Sequence, residues 1–161
     1  MPGLVTENSK KGLPAYDRNL IDSLSEDHKN IRIAYNRLMS FTVEKDYYKA
    51  AAHLELFNSE IRAHYKKADA ELYDYLKTYT RIKHPKREKA FVQLSLEMKN
   101  ISIEIFYITS QSPNIPLSEK TYDAFFTEFL SVGKLLNDRI NREKKVLFDM
   151  YEQTNKVTSI S

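Results

Sequence analysis

Read at steps of three and four residues, Leu54, Phe57, Ile61, His64, Ala68, Leu72 and Tyr75 form one continuous seam. Spacing of this kind lines up side chains along one stripe of an α-helix. The seam is apolar except at His64, in the middle of Ile61 to Leu76. Burying an imidazole costs free energy unless a hydrogen-bond partner or a metal receives it. Whatever the chain folds into must bring something to His64.

Three more stretches carry the same period. Leu20 or Ile21, Leu24, His28, Ile31, Tyr35 and Leu38 form a seam that His28 interrupts, in a helix expected from near Asp17. Phe91, Leu94, Met98, Ile101, Ile105 and Ile108 form an apolar seam in a helix expected over about 86 to 110. Tyr122, Phe125, Phe129, Val132 and Leu136 continue into Arg139 and Glu143, then Val146 or Leu147 and Met150, in a helix expected over about 119 to 152. The second helix is expected from about Tyr47 to Leu76–Thr80.

Breakers separate these stretches. A turn is expected at Ser40 to Asp46. Pro85 disfavours helix at His84. Pro113, Asn114 and Pro116 mark a loop, with Ser118 as the expected N-cap of the last helix. Only 3 glycines stand among 161 residues, a profile that favours helices over turn-rich sheet. The expected fold is all-α: an antiparallel up-down-up-down four-helix bundle over 16–152, with a flexible N-terminal arm at 1–15 and a polar tail at 153–161.

Composition narrows the function. The absence of cysteine excludes disulfides, thiolate ligands and cysteine nucleophiles. A formal charge of +3, from 25 basic and 22 acidic residues, is too balanced to imply nucleic acid or an anionic membrane. The basic runs at Lys83, Lys86, Arg87 and Lys89 and at Arg142, Lys144 and Lys145 read as solvated surface. No apolar run resembles a signal peptide or a membrane span, so a cytoplasmic protein is expected. No glycine-rich nucleotide loop or hydrolase triad can be assembled, and the expectation is a protein that is not an enzyme.

The polar interruptions His28, His64, Arg139 and Glu143 fall near mid-helix, where neighbouring helices bring them to one layer. Two readings stand. Two histidines and a carboxylate suffice to hold one Fe, Mn or Zn ion. Alternatively the cluster satisfies itself: Arg139 pairs with Glu143 one turn away, and each histidine bonds to Glu143, a tyrosine hydroxyl or water. His53 and Glu60 read as rim residues, Glu60 being a candidate carboxylate partner for His64. His84, in a loop, is a poor ligand.

HKNIRIAYNRL, AHYKKADAELYDYL, FVQLSLEMKNI and LNDRINREKKVLFDMYEQ together resemble the four helices of a bacterial hemerythrin-like (HHE cation-binding) domain, over about residues 20–152. The resemblance implies metal ligands at His28, His64 and Glu143. It also implies lost ligands: Ala68 where the family has Glu, Met98 where it has His, and Arg139 where it has His. Asp69, beside the lost carboxylate, is about 100° off the seam. A full di-iron centre is therefore not expected. The role implied by the resemblance is non-catalytic: sensing, regulation or partner binding, with at most one weakly bound metal such as iron. If that metal is kept, it implies oxygen, nitric oxide or redox sensing. A second resemblance lies in Leu20-Ile21-Asp22, Ala34-Tyr35, Leu38 and Gly133-Lys134-Leu135-Leu136 with Arg139 and Glu143. These are similar to the first and last helices of the anti-sigma family that includes regulator of sigma D, which implies the housekeeping sigma factor as partner.

Overall fold

The structure, a computed structural model, describes residues 14–111 and 118–160. Among these residues the chain is all-α, with four helical rods and no strand. The first rod is α1 (Leu20–Val43). The second is α2 (Tyr47–Lys67), a π-helical stretch at Ala68–Tyr73, and α3 (Asp74–Lys83). A 3₁₀ turn at Pro85–Arg87 leads to the third rod, α4 (Glu88–Gln111). The fourth is α5 (Tyr122–Arg142), a π-helical stretch at Glu143–Leu147, and α6 (Phe148–Ile160).

The ends of the rods are set by local hydrogen bonding. The Asp17 side chain accepts from the Asn19 N–H at 2.9 Å, holding a turn that delays α1 to Leu20. The expected turn at Ser40–Asp46 is shorter, because Thr42 is buried and donates its hydroxyl to the Leu38 carbonyl at 2.7 Å, keeping the helix going to Val43. Lys45 then takes a left-handed conformation (φ 58°) and reverses the chain. Asp46 caps α2 by accepting from the Lys49 N–H at 3.2 Å. Ser118 is not the cap of α5. Its N–H donates to Thr121 Oγ1 at 2.9 Å in a preceding turn, and the helix starts at Tyr122.

The C-terminal segment differs from the expected polar tail. Helix α6 runs on to Ile160, because Thr154 is buried, bonded to Tyr75 Oη at 2.8 Å and donating to the Tyr151 carbonyl at 2.6 Å. The arm expected at 1–15 lies almost wholly outside the described residues. Just beyond it, Tyr16 stacks on Tyr151 with centroids 4.6 Å apart, and the Asp17 N–H donates to Tyr151 Oη at 2.7 Å.

Every member of the Leu54–Tyr75 seam is buried. In the fourth rod the seam passes through Leu147 to Tyr151, while Val146 is exposed and Met150 only half-buried. The buried apolar residues fall into two groups. Ile31, Leu38, Phe57, Ile61, Tyr65, Ile105, Phe129, Val132 and Leu136 belong to one. Leu24, Ala68, Leu72, Leu76, Met98, Leu147 and Tyr151 belong to the other. Each large side chain among them contributes about 1.5–3 kcal/mol on burial. Along α1, His28 falls between the two groups. The same holds for His64 along the second rod, and the polar cluster separates the two cores.

Gly133 makes room for a side chain from another rod. A Cβ there would collide with the Tyr35 hydroxyl and stand 2.6 Å from Tyr35 Cζ, so only glycine admits this ring. Tyr35 lies across α5 and donates its hydroxyl to the Phe129 carbonyl at 2.6 Å.

Candidate metal centre

Glu143 is the hub. It is fully buried at the start of the second π-helical stretch, one helical turn beyond Arg139. Its Oε1 receives His28 Nε2 at 2.7 Å and His64 Nε2 at 3.1 Å. Its Oε2 receives the Tyr73 hydroxyl at 3.0 Å and Arg139 Nε at 3.3 Å. Four donors thus saturate one carboxylate.

The cluster draws on every rod. His28 comes from α1, and its ring stacks on Phe148 with centroids 5.4 Å apart. His64 comes from α2, edge-on to His28 at 4.7 Å. Arg139 crosses to the third rod, donating from Nη1 to the Met98 carbonyl at 3.1 Å. Its guanidinium also lies over the Tyr65 ring, 3.7 Å from the centroid, and its carbon is 5.8 Å from the Tyr73 centroid. These contacts replace the hydration that a buried guanidinium loses.

Burial alone would push the Glu143 carboxyl up. The hydrogen bonds from His28 and His64, then the Arg139 cation, outweigh it and hold the carboxyl far below its ordinary 4.5. Burial likewise disfavours the Arg139 cation, but Glu143 reverses the effect and keeps it charged. Burial pushes the Tyr65 hydroxyl up to about 12 and raises that of Tyr73 further, so both are neutral, and Tyr73 is the one that donates to Glu143.

Two residues that the sequence pattern left out of the site complete it. Asp27 Oδ2 lies 3.1 Å from His64 Nδ1 and 2.7 Å from Lys67 Nζ. Burial raises the Asp27 carboxyl, but the Lys67 and His64 bonds bring it below its ordinary 3.8. Asp27 therefore takes the position expected of Glu60, which is exposed and absent from the cluster. A neutral imidazole carries one N–H, so both His64 contacts are hydrogen bonds only when the ring is an imidazolium. Tyr73 is the second addition. The signal for both was present in the sequence, in the Asp27–His28 and Leu72–Tyr73 pairs.

Comparison with known proteins finds no matching family model, no similar curated protein and no similar solved structure.

Of the other positions singled out in the sequence, Met98 and Ala68 are buried in the same core beside the cluster. Asp69 is exposed and does not compensate for Ala68. His53 is half-buried and away from the cluster, its Nδ1 2.9 Å from the Lys49 carbonyl and its ring 4.7 Å from that of Phe41. His84 is exposed.

His28, His64 and Glu143 offer one ligand atom each, all within 4.8 Å of one another. An ion about 2.0–2.2 Å from each ligand needs them no more than about 4.3 Å apart, which small side-chain adjustments supply. Asp27 would then orient His64 through its far nitrogen, as carboxylates do behind metal-bound histidines. Such an ion must displace the N–H protons that now face Oε1. A second ion does not fit, because the Arg139 cation and the Tyr73 hydroxyl hold the oxygen that would bridge to it.

Proposed function

We propose that the chain is an antiparallel up-down-up-down bundle of the hemerythrin-like type, in which a buried ionic cluster stands where the family has its di-iron centre. Its role on this reading is non-catalytic: regulation, sensing or partner binding in the cytoplasm. The observation that supports it is the saturation of Glu143 by His28, His64, Tyr73 and Arg139. A working oxygen carrier needs that carboxylate free to bridge two ions. Here both of its oxygens serve to tie rods together. If the protein holds metal, the site is a single weakly held ion on His28, His64 and Glu143, suited to redox or small-gas sensing where the ion is iron.

Metal analysis after reconstitution with ferrous iron tests this reading. At most one iron per chain, without oxo-bridge absorption, is expected. Two irons per chain with that absorption would overturn it.

A second reading has its own support. Tyr35 and Gly133, which carry part of the resemblance to the anti-sigma family, pack directly against each other where α1 meets α5. On this reading the protein sequesters the housekeeping sigma factor. Titration of metal-free protein with that purified factor decides it: a stoichiometric complex supports the reading, and none at micromolar concentrations removes it.

A further inference from the structure

Helix α4 carries apolar residues on two opposite faces. Phe91, Met98 and Ile105, seven residues apart, are buried in the protein's own cores. On the far side Gln93, Leu96, Asn100, Ile103, Tyr107 and Ser110 are all exposed. They succeed one another at steps of three, four, three, four and three, the seam of a coiled coil. Leu96 is 50% exposed, Ile103 55% and Tyr107 63%, whereas the other exposed large hydrophobics are divided among the remaining rods. A helix with apolar residues on its outer as well as its inner face has a second surface to cover.

The residues flanking the seam say what covers it. Taking Asn100 and Tyr107 as position a and Leu96 and Ile103 as position d, Lys99 falls at g and Glu104 at e. Neither forms an ion pair among the described residues. In a parallel two-stranded coiled coil, g on one helix faces e five residues further along its partner. That step joins Lys99 of one copy to Glu104 of the other, twice by symmetry. An antiparallel pair brings like flanks together and loses both bridges. A single asparagine at an a position meets its own copy across the axis and favours two parallel strands.

We propose that the outer face of α4 is a homodimer interface. Two copies pair in parallel through Leu96, Asn100, Ile103 and Tyr107, with reciprocal Lys99–Glu104 bridges. The surface lies opposite the His28–Glu143 cluster's side of the helix and holds whichever reading of that cluster is correct.

Sedimentation equilibrium of the full chain tests it. The unaltered protein is expected to dimerise reversibly. Ile103→Asp and Lys99→Glu should each weaken the dimer by about tenfold or more. Lys99→Glu with Glu104→Lys should restore most of that loss, with helical circular dichroism unchanged in every variant. Because the chain has no cysteine, orientation can be read cleanly. In the parallel pair Gln93→Cys, Asn100→Cys and Tyr107→Cys should each oxidise to a symmetric disulfide dimer. Cross-linking at one of these levels alone would indicate antiparallel pairing and overturn the proposal. So would a monomer up to about 100 µM, a range in which even weak specific dimers form, or a dimer indifferent to Ile103→Asp.

Discussion

The guanidinium carbon of Arg139 lies 3.7 Å from the centroid of the Tyr65 ring. That contact places a permanent cation inside the protein, with an aromatic face on one side and the Glu143 carboxylate beside it. The contact links the second rod to the fourth. It would also bear on a metal bound at the cluster, since a cation at this spot repels one. Removing Glu143 leaves that cation uncompensated.

Glu143→Ala is therefore expected to destabilise the fold by about 3–5 kcal/mol in urea melts, the usual cost of stranding a buried charge. Glu143→Gln, which keeps the shape but not the charge, should cost less. A near-neutral Glu143→Ala would show that Arg139 finds water once its partner is gone.

Stability should fall in acid. The Glu143 carboxyl is held below its ordinary value in the folded state, so its contribution is full above about pH 4.5 and is lost as the pH drops towards the folded value. Asp27, also lowered, acts in the same direction from its ordinary 3.8. Melts between pH 7 and pH 3 should show this decline, with a smaller slope in Glu143→Gln.

On the hemerythrin-like reading proposed above, supplying the ligands that the family has should raise iron binding. Ala68 and Met98 are buried in one core, and Arg139 donates to the Met98 carbonyl at 3.1 Å. Ala68→Glu, Met98→His and Arg139→His combined should bind more iron per chain than the unaltered protein, measured by elemental analysis after reconstitution. No gain would mean that these side chains do not reach a common point.

Gly133→Ala should cost about 1–3 kcal/mol, as overpacking does, because the new methyl collides with the Tyr35 hydroxyl. Tyr35→Phe in that background should recover part of the loss, since the phenol oxygen is the nearest atom. A double-mutant cycle in urea measures the coupling. Additive effects would show that Tyr35 swings away freely.

The all-α class, the four rods and the meeting of His28, His64, Arg139 and Glu143 were legible because each rests on a period of three and four. Asp27 was missed because it stands beside the seam and not on it, and a period reports only what lies on the stripe. Beyond Leu147 the course of the fourth rod departs from the expected stripe for a related reason. Counting α-helical turns from Glu143 leads to Val146 or Leu147 and then to Met150; the chain buries Leu147, with Phe148 and Tyr151 in place of Met150. Thr154 escaped notice because a threonine in a polar sequence gives no apolar signal.

The two π-helical stretches begin at Ala68 and Glu143. Each packs more residues into a turn than the helix around it, and one extra residue shifts the phase of everything downstream by about 100°. They act as gear changes, letting one rod present one face to the first core and a differently phased face to the second. Length changes at the rod ends leave that gearing intact. Deleting a single residue within Ala68–Tyr73 or Glu143–Leu147 would turn the far core's side chains towards water.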